Sequence, residues 1–181
     1  MNLKLAGVVL FIGVVLTGCS TIDAAVDNNF PMEDIVYDDQ GNTSKVYRAY
    51  GRSVEKAATI IQEDSEPLHK ASKDGKNLMI YDDYLVQVYK DIENPDDSLV
   101  EISGEKFVRN NYDSAFFTTY GIANEAEDEF DMDLDNRSGG SYIYTGYIGK
   151  SGYVKNSGNP SVRMSSDSSS GVRGGGPGAG K

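Results

Sequence analysis

The sequence predicts an α+β fold: one small domain with a mainly antiparallel sheet, helices packed on one face, and a disordered C-terminal tail. Three observations point there. Runs of alternating or apolar residues recur between short turns, and those turns are too short for the crossovers that parallel strands need. Apolar residues fall at helical spacing in three places. From Asn156 to Lys181 no periodicity remains and Ser, Gly and Pro dominate, which predicts disorder.

The elements follow in order. Thr21 to Phe30 reads as a short helix with Thr21 at its N-cap and Ile22, Ala25 and Val26 on one face, stopped by Pro31. Met32–Tyr37 and Thr43–Tyr50 read as strands around the turn Asp38-Asp39-Gln40-Gly41-Asn42. Ser53 caps the clearest helix, in which Val54, Ala57, Ala58 and Ile61 fall at i, i+3, i+4 and i+7, and which ends before Pro67. Asp64 to Lys76 reads as a polar loop holding His69. Leu78–Tyr81 and Tyr84–Tyr89 form a hairpin across Asp82-Asp83. After the turn Asn94-Pro95-Asp96-Asp97 comes a strand over Leu99–Ser103, then a short strand or lead-in over Glu105–Arg109. Asp113 or Ser114 caps a helix whose Phe116, Tyr120, Ala123, Glu127 and Phe130 share a face. Gly121 weakens it by about 1 kcal/mol relative to alanine. Tyr142, Tyr144, Tyr147 and Tyr153 then punctuate either a glycine-weakened strand pair or an aromatic-dotted loop.

The first residues carry an address. Lys4 is followed by an apolar run from Leu5 to Leu16, too short to span a bilayer, and then by Leu16-Thr17-Gly18-Cys19. This reads as a lipobox: residues 1–18 are a lipoprotein signal peptide, and Cys19 is the lipidation site, taking a diacylglyceryl group on sulfur. Two acyl chains, of which palmitate is the type, anchor stably where one binds only marginally. The expected location is the extracytoplasmic face of the cell membrane. Cys19 is the single cysteine, so lipidation leaves no thiol for a disulfide, a nucleophile or a metal.

Removing 18 of 181 residues leaves 163, enough for one domain. The expected layout is an anchor-proximal segment over 19–30, an α+β domain over 31–138, a Gly/Tyr-rich segment over 139–155 and a basic Ser/Gly-rich tail over 156–181. Residues 19–138 hold 11 basic and 27 acidic groups, while 139–181 hold five basic groups against Asp167. An acidic body is repelled by nucleic acid and by anionic lipid, so no nucleic-acid partner is expected.

Motifs of chemistry are sparse. Gly175-Gly176-Pro177-Gly178-Ala179-Gly180-Lys181 has the letters of a P-loop but neither the preceding strand nor the hydroxyl and helix that follow. Asp131, Asp133 and Asp135 resemble the start of a calcium loop, yet Tyr142 stands where the bidentate glutamate belongs. They are weak metal candidates and no cofactor is implied. His69 lies between Leu68 and Lys70 without a nucleophile motif. Tyr142, Tyr144 and Tyr147 are weak candidates for a contact surface.

Three blocks carry a resemblance: Gly41 to Ala49, Glu93 to Ile102, and Phe107 to Tyr112. Together they resemble the domain-of-unknown-function family numbered 4247, small lipoproteins of Gram-positive bacteria. The resemblance runs from about Asn28 to Tyr120. The chain departs after that, since Glu125 to Asp135 is acidic where the family continues with an apolar helix. The resemblance implies a lipoprotein and carries over no site residue. The function expected is therefore a non-enzymatic binding or structural module of the cell envelope, meeting an envelope protein or a wall polymer. The alternatives are a carboxylate-dependent wall hydrolase, which needs two suitably spaced acids, and a weak calcium-binding structural module.

Overall fold

The structure is a computed structural model and describes residues 21–133, 144–149 and 152–154. Helix α1 (Ile22–Asn29) leads into strands β1 (Met32–Tyr37) and β2 (Thr43–Ala49), followed by helix α2 (Val54–Asp64). Strands β3 (His69–Lys73), β4 (Lys76–Tyr81), β5 (Tyr84–Lys90) and β6 (Ser98–Gly104) come next. Helices α3 (Glu105–Asn111), α4 (Ser114–Tyr120) and α5 (Ala123–Phe130) follow, then the two-residue strands β7 (Ile148–Gly149) and β8 (Gly152–Tyr153). Six strands form one sheet in the order β1-β2-β6-β5-β4-β3. Every neighbouring pair is antiparallel, as the short connections require.

The α+β class and the antiparallel sheet stand as expected. The helices do not keep to one face. Val86, Val88, Val100, Ile102 and Met79 pack against α1 and α2. Their strand neighbours Leu85, Leu99, Leu78 and Ile80 pack against α3, α4 and α5. Successive strand residues point to opposite faces, and β4, β5 and β6 are apolar at both parities, so each face needs a cover.

Three elements differ from expectation. Residues 69–73 are a strand rather than a loop, pairing with β4 from His69↔Ile80 to Lys73↔Lys76. Asp74 (φ 52°) and Gly75 (φ 75°) make the two-residue turn that closes this hairpin. Residues 105–111 are helical, not extended. The single helix expected from Asp113 to Phe130 is two, broken where Gly121 adopts φ 70° as a left-handed cap. Asp113 caps α4 by accepting from Phe116 N (2.9 Å), and Ser53 caps α2 by accepting from Lys56 N (3.2 Å). Thr21 stands at the N-cap of α1 without a side-chain cap bond.

Candidate functional site

Glu101 sits in the middle of β6, a central strand, with β2 and β5 on either side. Alternation aims its side chain at the α3–α5 face, where it is fully buried (0 % exposed). A buried carboxylate survives only when its oxygens are hydrogen-bonded. Glu101 receives four donors: Ser44 Oγ (2.6 Å), Tyr89 OH (2.7 Å), Tyr144 OH, and the main-chain N–H of Tyr147 (2.9 Å). Two of the four come from residues 144–149 and 152–154, which cross this face as a strap.

The strap is held at further points. Tyr144 N–H donates to Asn111 O (3.0 Å), and Tyr147 OH donates to Asp34 Oδ2 (2.9 Å). Lys76 Nζ donates to Thr145 O (2.7 Å) and to Gln87 Oε1 (2.8 Å), and stands 4.5 Å from the centre of the Tyr89 ring. Gln87 is fully buried beside Glu101 and its amide donates to Tyr112 OH. At Gly146 the strap passes closest. A Cβ there would lie 3.1 Å from Lys76 Nζ, 3.3 Å from Glu101 Oε2 and 3.4 Å from Gln87 Oε1, and φ is +129°, a region open only to glycine. Gly146→Ala is therefore expected to lower the urea midpoint by an amount worth about 2–3 kcal/mol, with the slope unchanged.

Burial and charge set the proton affinities around this centre. Burial raises Tyr89, Tyr112 and Tyr144 well above the ordinary phenol range, and the Glu101 charge adds to it. Loss of water brings the Lys76 ammonium down to about 8 from 10.5, against the upward pull of Glu101. In the folded protein a dimethylated, carbon-13-labelled Lys76 is expected to titrate well below the other lysines by NMR. A Lys76 signal titrating with the rest would contradict this environment.

A second charged cluster lies near one end of the sheet. Arg48, on β2, bonds Glu33 through Nε (3.0 Å) and Nη2 (3.1 Å), and reaches Asp91 and Asp97 through Nη1. Tyr153 OH of the strap donates to Asp91. Burial would raise the Asp91 carboxyl, but the bonds from Tyr153, Glu93 N–H and Arg48 outweigh it and hold the group at about 2. Beside this cluster a cleft of about 570 Å³ opens at the sheet end, lined in part by Lys76, Tyr89, Lys90, Ile92, Tyr120 and Ile148. That size is ordinary for a ligand pocket.

The residues singled out from sequence lie elsewhere. Tyr144 (1 % exposed) and Tyr147 (7 %) are in the core, not on a contact surface, because the Tyr144 ring packs against Phe107 and Tyr112, the Tyr147 ring stacks on Tyr153, and their hydroxyls meet Glu101 and Asp34. Asp131 is exposed at the C-cap of α5 and faces Arg109 at 3.8 Å, and Asp133 is exposed. Asp135, Tyr142 and Cys19 lie outside the described residues. Among the described residues no three His, Cys, Asp or Glu side chains stand together as a metal site. His69 is exposed on β3. Glu101, Gln87, Lys76, Arg48 and Asp91 were not anticipated. The available signal was a glutamate and a glutamine at interior positions of apolar strands.

The family described as "Domain of unknown function (DUF4247)" matches residues 9–176. The chain belongs to it. The match extends well beyond Tyr120, so the acidic stretch after that residue and the strap fall inside the family's span. No curated protein and no solved structure matches the chain. Among the described residues no helix is long and apolar enough to cross a membrane.

Proposed function

We propose that this DUF4247 protein is a lipid-anchored, extracytoplasmic lipoprotein whose domain serves as a non-enzymatic binding or structural module of the cell envelope. The observation that carries the non-enzymatic part is the state of Glu101. This fully buried carboxylate accepts from two hydroxyls of the sheet face and from two donors of the strap. It ties a segment of its own chain to the sheet, which is a structural task. The anchoring part rests on Leu16-Thr17-Gly18-Cys19.

The fold suits such an attachment. α1 begins three residues after Cys19, and its Asp23 pairs with Lys45 (2.6 Å) beside Gly104, at one end of the strands. Tyr153 meets Asp91 at the other end. The described chain thus begins and ends at opposite ends of the sheet. The test is membrane retention. The wild-type protein is expected to stay with membranes through a carbonate wash and to take up labelled palmitate, and Cys19→Ala is expected to lose both. A Cys19→Ala protein that stays in the membrane fraction overturns the anchor.

A further inference from the structure

An amine, an amide and a carboxylate meet under the strap. Lys76 Nζ, on β4, donates to Gln87 Oε1 of the neighbouring strand β5 at 2.8 Å. Gln87 is the direct cross-strand partner of Glu101 on β6, and both side chains are fully buried. The three heads face one point, since a Cβ on Gly146 would touch Lys76 Nζ, Gln87 Oε1 and Glu101 Oε2 alike. A carbonyl carbon lies about 1.2 Å behind its oxygen, so Lys76 Nζ stands within roughly 4 Å of Gln87 Cδ. Attack distance is about 3–3.5 Å, a short slide away. The amide nitrogen, Gln87 Nε2, points instead to Tyr112 OH.

We infer that Lys76 and Gln87 close an intramolecular isopeptide bond, with Glu101 carrying the proton. The structure holds the open pair. The neutral Lys76 amine attacks Gln87 Cδ, and the Nζ–Cδ bond forms as the Cδ–Nε2 bond breaks. Glu101 takes the proton that Nζ sheds and returns it to Nε2, which leaves as ammonia. One amide replaces another, so no oxidant, reductant or further reactant is needed. It is a single closing step within one chain, not turnover. Ammonia has an exit, because Lys76 also lines the cleft at the sheet end.

Position favours the step, since groups fixed on adjoining strands react with an effective molarity on the order of 10⁵ M. Burial of Gln87 keeps competing water away. Loss of water brings the Lys76 amine to about 8, so it is neutral at mildly alkaline pH, where an ordinary lysine is not. Around it stand Glu101 of β6, Tyr89 of β5, Tyr112 after α3 and Tyr144 of the strap, and burial lifts these three phenols well above their ordinary range. Asp74, Lys90 and Tyr120 share the cleft beside it. The bond staples β4 to β5 in a chain whose single cysteine leaves it no internal disulfide. This inference does not depend on lipidation.

Mass spectrometry of the full chain, with Cys19→Ser to keep it in solution, tests the inference. Over days at about pH 8.5 the folded protein is expected to lose one ammonia, about 17 Da, faster as pH rises through the Lys76 value. Trypsin then no longer cuts after Lys76, and Asp74–Lys90 is recovered as one piece lacking that mass. Lys76→Arg is expected to keep its full mass, and so is protein dimethylated at Lys76 beforehand, since a tertiary amine forms no amide. Glu101→Gln, with its fold checked by circular dichroism, is expected to close about a hundredfold more slowly. Folded wild-type protein that keeps its full mass overturns the inference. A loss of ammonia that persists in Lys76→Arg also overturns it, because the nitrogen then leaves from elsewhere. Closure of folded Glu101→Gln at the wild-type rate overturns the part given to Glu101.

Discussion

Glu101→Ala is expected to destabilise the fold by about 3–5 kcal/mol, read as a shift of the urea midpoint. The reason is the number of donors that lose their acceptor together. Ser44 Oγ, Tyr89 OH, Tyr144 OH and Tyr147 N–H all point into the carboxylate, and their site is closed to water. An unsatisfied buried donor costs about 1–3 kcal/mol, so the strap is expected to detach rather than remain with four of them. Tyr144 and Tyr147 should then become exposed, which iodination or tyrosine fluorescence reads directly. Glu101→Gln keeps the volume but brings an NH2 group against donors, so its cost is expected to be smaller, at about 2 kcal/mol. A Glu101→Ala protein with wild-type stability and a seated strap would remove Glu101 from its place as the centre of this face.

Arg48→Ala is expected to cost a similar amount, about 3–5 kcal/mol, for the opposite electrostatic reason. The guanidinium is nearly buried and stands among Glu33, Asp91 and Asp97, with the Asp91 side chain fully buried. Removing it takes the shared cation from three carboxylates. Arg48→Lys is expected to restore only part of the loss, since an ammonium cannot hold Glu33 through two nitrogens and reach Asp91 as well.

The same cluster sets an acid limit. Asp91 is held at about 2 when folded, below the ordinary carboxyl value of 3.8. A depressed carboxyl contributes stability that is present above the unfolded value and is lost as pH falls through the folded one. Stability should therefore decline between about pH 4 and pH 2. Asp38, lowered despite its burial by bonds from Asn110 and Asn42, adds to the same limb. In Arg48→Ala the Asp91 carboxyl loses one of its donors, so acid unfolding is expected to begin at a higher pH. An unchanged acid limb in that variant would show that Tyr153 and the main chain alone hold Asp91 down.

Local patterns reached most of the secondary structure, and their failures have physical causes. The β4–β5 hairpin and α2 were legible because alternation and helical spacing are strong in Tyr84–Tyr89 and Val54–Ile61. β3 was hidden by its composition: His-Lys-Ala-Ser-Lys lacks apolar alternation, and an edge strand exposed along most of its length does not need it. The Asp74-Gly75 turn was a local signal for it. Helical spacing makes Gly121 only a weak point within one helix, whereas the left-handed glycine ends α4 outright.

The site was less legible. Tyr144 and Tyr147 stood out as aromatic residues in a glycine-rich stretch, a pattern that suits a contact surface and a strap equally well. Burial decides between them, and burial depends on what the rest of the chain builds. Glu101 looked like one of many acids. Its meaning comes from four partners at positions 44, 89, 144 and 147, brought together only by the sheet order and the crossing of the strap.

The sequence by itself determined most of the element types, the antiparallel connections, the acidic body with its basic tail, and the family, because these are local or additive properties of the chain. Tertiary structure alone decided that both sheet faces are covered and that Glu101, Asp34 and Asp91 receive the C-terminal strap. Those facts follow from contacts between residues far apart in the chain, which no local window records.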